Sequence, residues 1–123
     1  MNTQAIHTYG SARSPAKDPR TAEAVVLSRI TARLGDADRR SGQDFPAFAA
    51  ALDENRKFWS IAAIDLASDG NRLPDDLRAR LLSIAAFVLD QTSRMLASGG
   101  SAAALIDINR AVISGLAAQA DPT

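Results

Sequence analysis

The chain predicts an all-α protein, an antiparallel helical bundle of about four helices behind a mobile N-terminal arm. Three observations predict it. Apolar residues recur at three- and four-residue spacing in four separate segments, each segment opens on a capping or proline signal, and none alternates with the two-residue period of a strand. The 123 residues make one ordinary domain, and the 46% hydrophobic share rests on Ala and Leu, with only 5% aromatics.

Residues 1–17, small and polar and broken by Gly10 and Pro15, read as the arm, and residues 18–119 as the single domain. Asp18 before Pro19, with Glu23 following, opens a first helix with Val26, Ile30 and Leu34 on one stripe, widened by Leu27. Gly35 and the polar run DADRRSGQ are expected to dissolve it. Asp44 and Pro46 open a second helix that runs to about Ser68, where Asp69-Gly70-Asn71 ends it. Its stripe is Phe48, Leu52, Trp59, Ala62 and Leu66, and Phe58, Ile61 and Ile64 form another beside it. Polar residues almost vanish after Lys57, so this half should be covered on most sides.

Pro74 with Asp75 and Asp76 starts a third helix, because carboxylates in the first turn complement the partial positive charge there. Leu77, Leu81, Ile84, Val88 and Met95 mark its main face and Leu82, Leu89 and Leu96 a second, while Phe87 belongs to neither. Gly99-Gly100 stops it, and Ser101 caps a fourth helix through Leu105, Ile108, Val112 and Leu116. Short connections make these an up-and-down bundle of four, or three packed helices with a mobile first one.

The totals exclude several classes of function. Fourteen basic residues balance fourteen acidic ones, so no global field draws in nucleic acid or a membrane surface. Without Cys there is no disulfide framework, thiolate metal site or cysteine nucleophile. The first twenty residues lack a signal-peptide core and no run is long enough to cross a bilayer, so the expectation is a cytoplasmic protein. The single histidine, His7, lies in the arm, which leaves no metal cluster and no catalytic triad. No enzyme activity and no cofactor are expected.

Two groups interrupt apolar surroundings. Asp65 lies between Ile64 and Leu66, where a buried carboxyl would make a general acid; with no second carboxylate at useful spacing, a pair with Arg78 or contact with water is the better reading. In LIDINRAVISGL, residues 105 to 116, Asn109 shares the apolar face of its helix, where it either fixes register by bonding across the bundle to Asn55 or serves recognition. Arg110 lies about a hundred degrees round and can pair with Asp107 or reach another acid. Trp59, the sole tryptophan, is either core or the anchor of a bound partner. With two apolar stripes on each of the second and third helices, either the bundle is closed on four sides or a groove remains for a helix from another chain.

Tyr9, PRTAE at 19 to 23, ALDENRKFW at 51 to 59, GNRLPDDLRARLLSIA at 70 to 85 and LIDINRAVISGL together resemble FlaF, the flagellar biosynthesis regulator family of alphaproteobacteria. The resemblance spans nearly the whole chain in order, and the last two motifs are its specific part. It implies a protein required for flagellin production and secretion, a flagellin-binding chaperone that works alongside the translational regulator FlbT. Flagellin and an FlbT-like protein are then the implied partners. On this reading the second and third helices offer the groove, through Phe58, Ala62, Leu66, Leu81 and Val88. Trp59 anchors the visiting helix, and Asn55, Asn109 and Arg110 set its register. The alternative is post-transcriptional control of flagellin through an FlbT-like protein or mRNA, for which the basic residues Arg13, Lys17, Arg20, Arg29 and Arg33 are the best face, diluted by Asp18, Glu23 and Asp36.

Overall fold

A computed structural model describes residues 19–120 and consists of four helices, α1 (Pro19–Arg39), α2 (Phe45–Ala67), α3 (Asp75–Ser98) and α4 (Ala103–Ala120). No strand occurs among the described residues, so the all-α expectation holds. The N-terminal arm, with Tyr9 and His7, lies outside them.

The helix starts fall where the capping signals put them. Asp44 accepts a hydrogen bond from the Ala47 amide at 3.1 Å, and Pro46 stands in the first turn of α2, where its missing N–H costs nothing. Asp75 and Asp76 occupy the first turn of α3. The Ser101 hydroxyl accepts from the Ala103 amide at 3.1 Å ahead of α4. Between α3 and α4, Gly99 and Gly100 take φ of 81° and 107°, a region side chains avoid.

The first helix is longer than its sequence suggests. Gly35 and Asp36 continue it, because Ala37 is buried in the core, and α1 closes only at Arg39. Asp38, expected in a loop, accepts from the Ala102 amide at 2.8 Å and so ties the end of α1 to the start of α4. Val26 is another departure. It stands in solvent while Leu27, Ile30 and Leu34 face the core.

The backbones pack closely for α3 on α2, α2 on α1 and α1 on α4, whereas α3 and α4 run farther apart, as do α2 and α4, which meet through side chains such as Trp59 and Asn109. The core gathers Leu34, Phe48, Leu52, Trp59, Val88, Met95 and Leu105. Arg33 Nε donates to Glu54 Oε1 at 2.8 Å across the outer rim of the α1–α2 seam. That contact holds the Arg33 guanidinium above its ordinary pKa and the Glu54 carboxyl below its own. Beside it, hydrogen bonds from Lys57 and Arg56 lower the Asp53 carboxyl.

Candidate functional site

At the centre of the bundle four polar side chains from three helices meet. Asn109 on α4 is fully buried. Its Oδ1 accepts from Trp59 Nε1 at 3.0 Å, and its Nδ2 donates to Asn55 Oδ1 at 2.9 Å and to Thr31 Oγ1 at 3.0 Å. Thr31 in turn donates to the Leu27 carbonyl one turn back at 2.7 Å. Both Asn109 amide hydrogens and one of the two lone pairs of its carbonyl are thus used within the chain, and the side chain is buried away from any visitor. Asn55 Nδ2 is the one group of this cluster that is buried without a partner.

This arrangement corrects the groove expected between the second and third helices. Those two helices pack directly on each other, and Trp59, 2% exposed, is sealed beneath them with its ring edge-on to Phe58 at 5.9 Å. An indole without solvent contact cannot anchor a helix from outside while the bundle is closed. Asn55, Leu66, Val88 and Asn109 are buried with it, and Phe58, Ala62 and Leu81 are half-buried. Arg110 is exposed on a different side, where α1 meets α4. It lines an open hollow of about 530 Å³ with Thr31, Asp36, Arg39 and Ile113, and makes no ion pair with Asp107 or any other acid among the described residues. The nine residues expected to bind a partner therefore do not form one outward surface.

Asp65 is exposed, and its Oδ2 accepts from Asn71 Nδ2 at 3.0 Å. Arg78 does not reach it; its guanidinium donates to the Ser68 carbonyl at 3.3 Å and lies 3.9 Å from Asp75. No group of three or more metal-ligating side chains gathers among the described residues. No helix among them is long and apolar enough to cross a membrane.

The structure also leaves several large apolar side chains in solvent. Ile61 and Ile64 on α2 are 69% and 73% exposed, Phe87 on α3 is 46% exposed, and Val25 and Val26 on α1 are also bared. These belong to two places. On α4, Arg110 and Ile113 look towards α1, so Ile108 and Val112 occupy the opposite flank, on the side of α3. There they stand half-buried against the rim of the core, with Ile84 and Phe87 one turn apart on α3. The second place is the outer face of α1 and α2. Sequence periodicity had assigned Phe87 to no face, and that was the only sign of its exposure.

A small helical bundle with an apolar core, a buried polar cluster at its centre and several large apolar side chains left in solvent has the build of an interaction protein. The family model for the flagellar protein FlaF matches residues 5–116, and the chain belongs to that family. Against curated proteins and against solved structures it finds no match.

Proposed function

We propose that the chain is a flagellin-binding chaperone that also regulates flagellin synthesis, acting in the cytoplasm, and that it seats an amphipathic flagellin helix along the opening between α3 and α4. One observation carries the reading: the backbones of α3 and α4 lie close to α2 and α1 but not to each other, and Ile84, Phe87, Ile108 and Val112 are only partly covered. A helix laid between two such flanks adds the missing neighbour, and burial of its apolar stripe contributes about 25 cal/mol per Å². Flagellin is the partner of choice because the chain belongs to a flagellar family, and an amphipathic helix is what an apolar groove of this kind holds. No catalysis, metal or cofactor enters this role.

The alternative, control through an FlbT-like protein or mRNA, draws on fewer features. Of the basic residues available to it, Arg33 is already engaged by Glu54. Co-expression of the chain with flagellin, intact or lacking its terminal helices, tests the proposal. A stoichiometric complex that forms only with the terminal helix present is expected. Equal recovery of the truncated flagellin, or tight salt-dependent binding to flagellin message instead, contradicts it.

A further inference from the structure

The outer face of the α1–α2 seam carries a second apolar surface that the proposed flagellin site does not use. Arg33 and Glu54 face each other across this seam. Because the helices are antiparallel, moving seven residues towards the start of α1 and seven towards the end of α2 reaches Val26 and Ile61. Both steps cover about 10 Å and return to nearly the same side of each helix. The rim that holds an ion pair at one level therefore holds two bare aliphatic side chains two turns on, with Ile64 a further turn along and Val25 beside Val26. This is the end of the bundle at which α1 begins.

We propose that residues 1–18 fold back over this face, with Ile6 and Tyr9 covering Val26, Ile61 and Ile64. Four features select this occupant. Reach is ample: Tyr9 stands ten positions before Pro19, roughly 33 Å of extended chain for a distance of about 10 Å, and Gly10 and Pro15 supply places to turn. After Met1, Ile6 and Tyr9 are the large apolar side chains of an otherwise small and polar segment, so a face of aliphatic side chains is where they gain most. Charge agrees as well. The connection at this end, from Asp65 to Asp76, has four acids, Asp65, Asp69, Asp75 and Asp76, against Arg72, whereas residues 1–18 carry Arg13 and Lys17 against Asp18. Finally, the FlaF family model begins at residue 5, so Ile6 and Tyr9 belong to the family pattern with the bundle itself.

Tyr9 is the only tyrosine, which makes it an unambiguous probe in the full chain. Proton NMR with methyl labelling should show cross-peaks between the Tyr9 ring and the Ile61 and Ile64 methyls at low concentration. They should vanish in I61D while the methyl signals of Leu34 and Val88 keep their positions. A Tyr9 ring at random-coil shifts with no cross-peak overturns the proposal. So do cross-peaks seen only between differently labelled molecules, which would assign the face to a second copy. A third contradicting result is loss of flagellin capture in I61D with no arm contact in the parent, because the face would then belong to flagellin. Failure of the α3–α4 opening to bind flagellin leaves the Tyr9 cross-peaks in place, so the two proposals fail separately.

Discussion

Asn109 stands on the apolar face of its helix, so the sequence indicates that it bonds inward, and Asn55 is within the set of partners its position allows. Its bond to the indole was not legible, since Trp59 lies 50 residues away and nothing local marks it as a donor to an amide. The consequence is energetic. Replacing Trp59 by Ala removes the largest fully buried side chain and orphans the Asn109 carbonyl, a loss of about 3–5 kcal/mol for the cavity alone. Trp59→Phe keeps much of the volume and loses the bond, and should cost about 1–3 kcal/mol in a urea titration. An unchanged midpoint in W59F would mean that the indole N–H reaches water. The rim carboxylates set a separate expectation. Glu54 and Asp53 are both held below their ordinary values, so their stabilising contribution is complete at neutral pH and is lost as protons bind them in the folded state. The urea midpoint should fall between about pH 5 and pH 3 and fall less in Glu54→Gln. Identical acid profiles for the two proteins would remove Glu54 from the account.

Helix ends were legible wherever a side chain caps the backbone, as at Asp44 and Ser101, because capping is a local interaction written in adjacent residues. The end of α1 was not. Gly35 and a polar run argue locally for a stop, and burial of Ala37 together with the Asp38 bond to Ala102 overrides them through contacts more than sixty residues away in sequence. A glycine kept in a helix by tertiary contacts leaves stability unrealised. A methyl group on Gly35 would meet nothing closer than the Arg39 guanidinium at 3.9 Å, and one on Gly115 in α4 would meet nothing within 4 Å. G35A and G115A should each raise stability by roughly 0.5–1 kcal/mol, seen as a higher melting temperature. At Gly99, where φ is 81°, the same change should lower it. A lower melting temperature for G35A would show that the helix does not run through residue 35.

The bundle as a whole buries most of its apolar stripes around a small polar centre and bares a few large apolar side chains, among them Val26, Ile61, Ile64 and Phe87. Four helices and their order were legible because each carries its own stripe and cap. The position of the exposed faces was not, since two stripes on one helix do not say which is covered; that depends on α3 and α4 packing on different neighbours. Trp59 therefore takes the core role that the sequence left open for it, and Phe87, assigned to neither face, stands exposed. The most direct test compares flagellin capture by W59F and F87D, both checked for native helical content by circular dichroism. The α3–α4 opening predicts that W59F co-purifies with flagellin as the parent does, while F87D loses capture by tenfold or more, the order of a charge set into an apolar contact worth at least about 1.4 kcal/mol. Capture that survives F87D and disappears in a folded W59F would contradict it, and would return the indole to the binding surface.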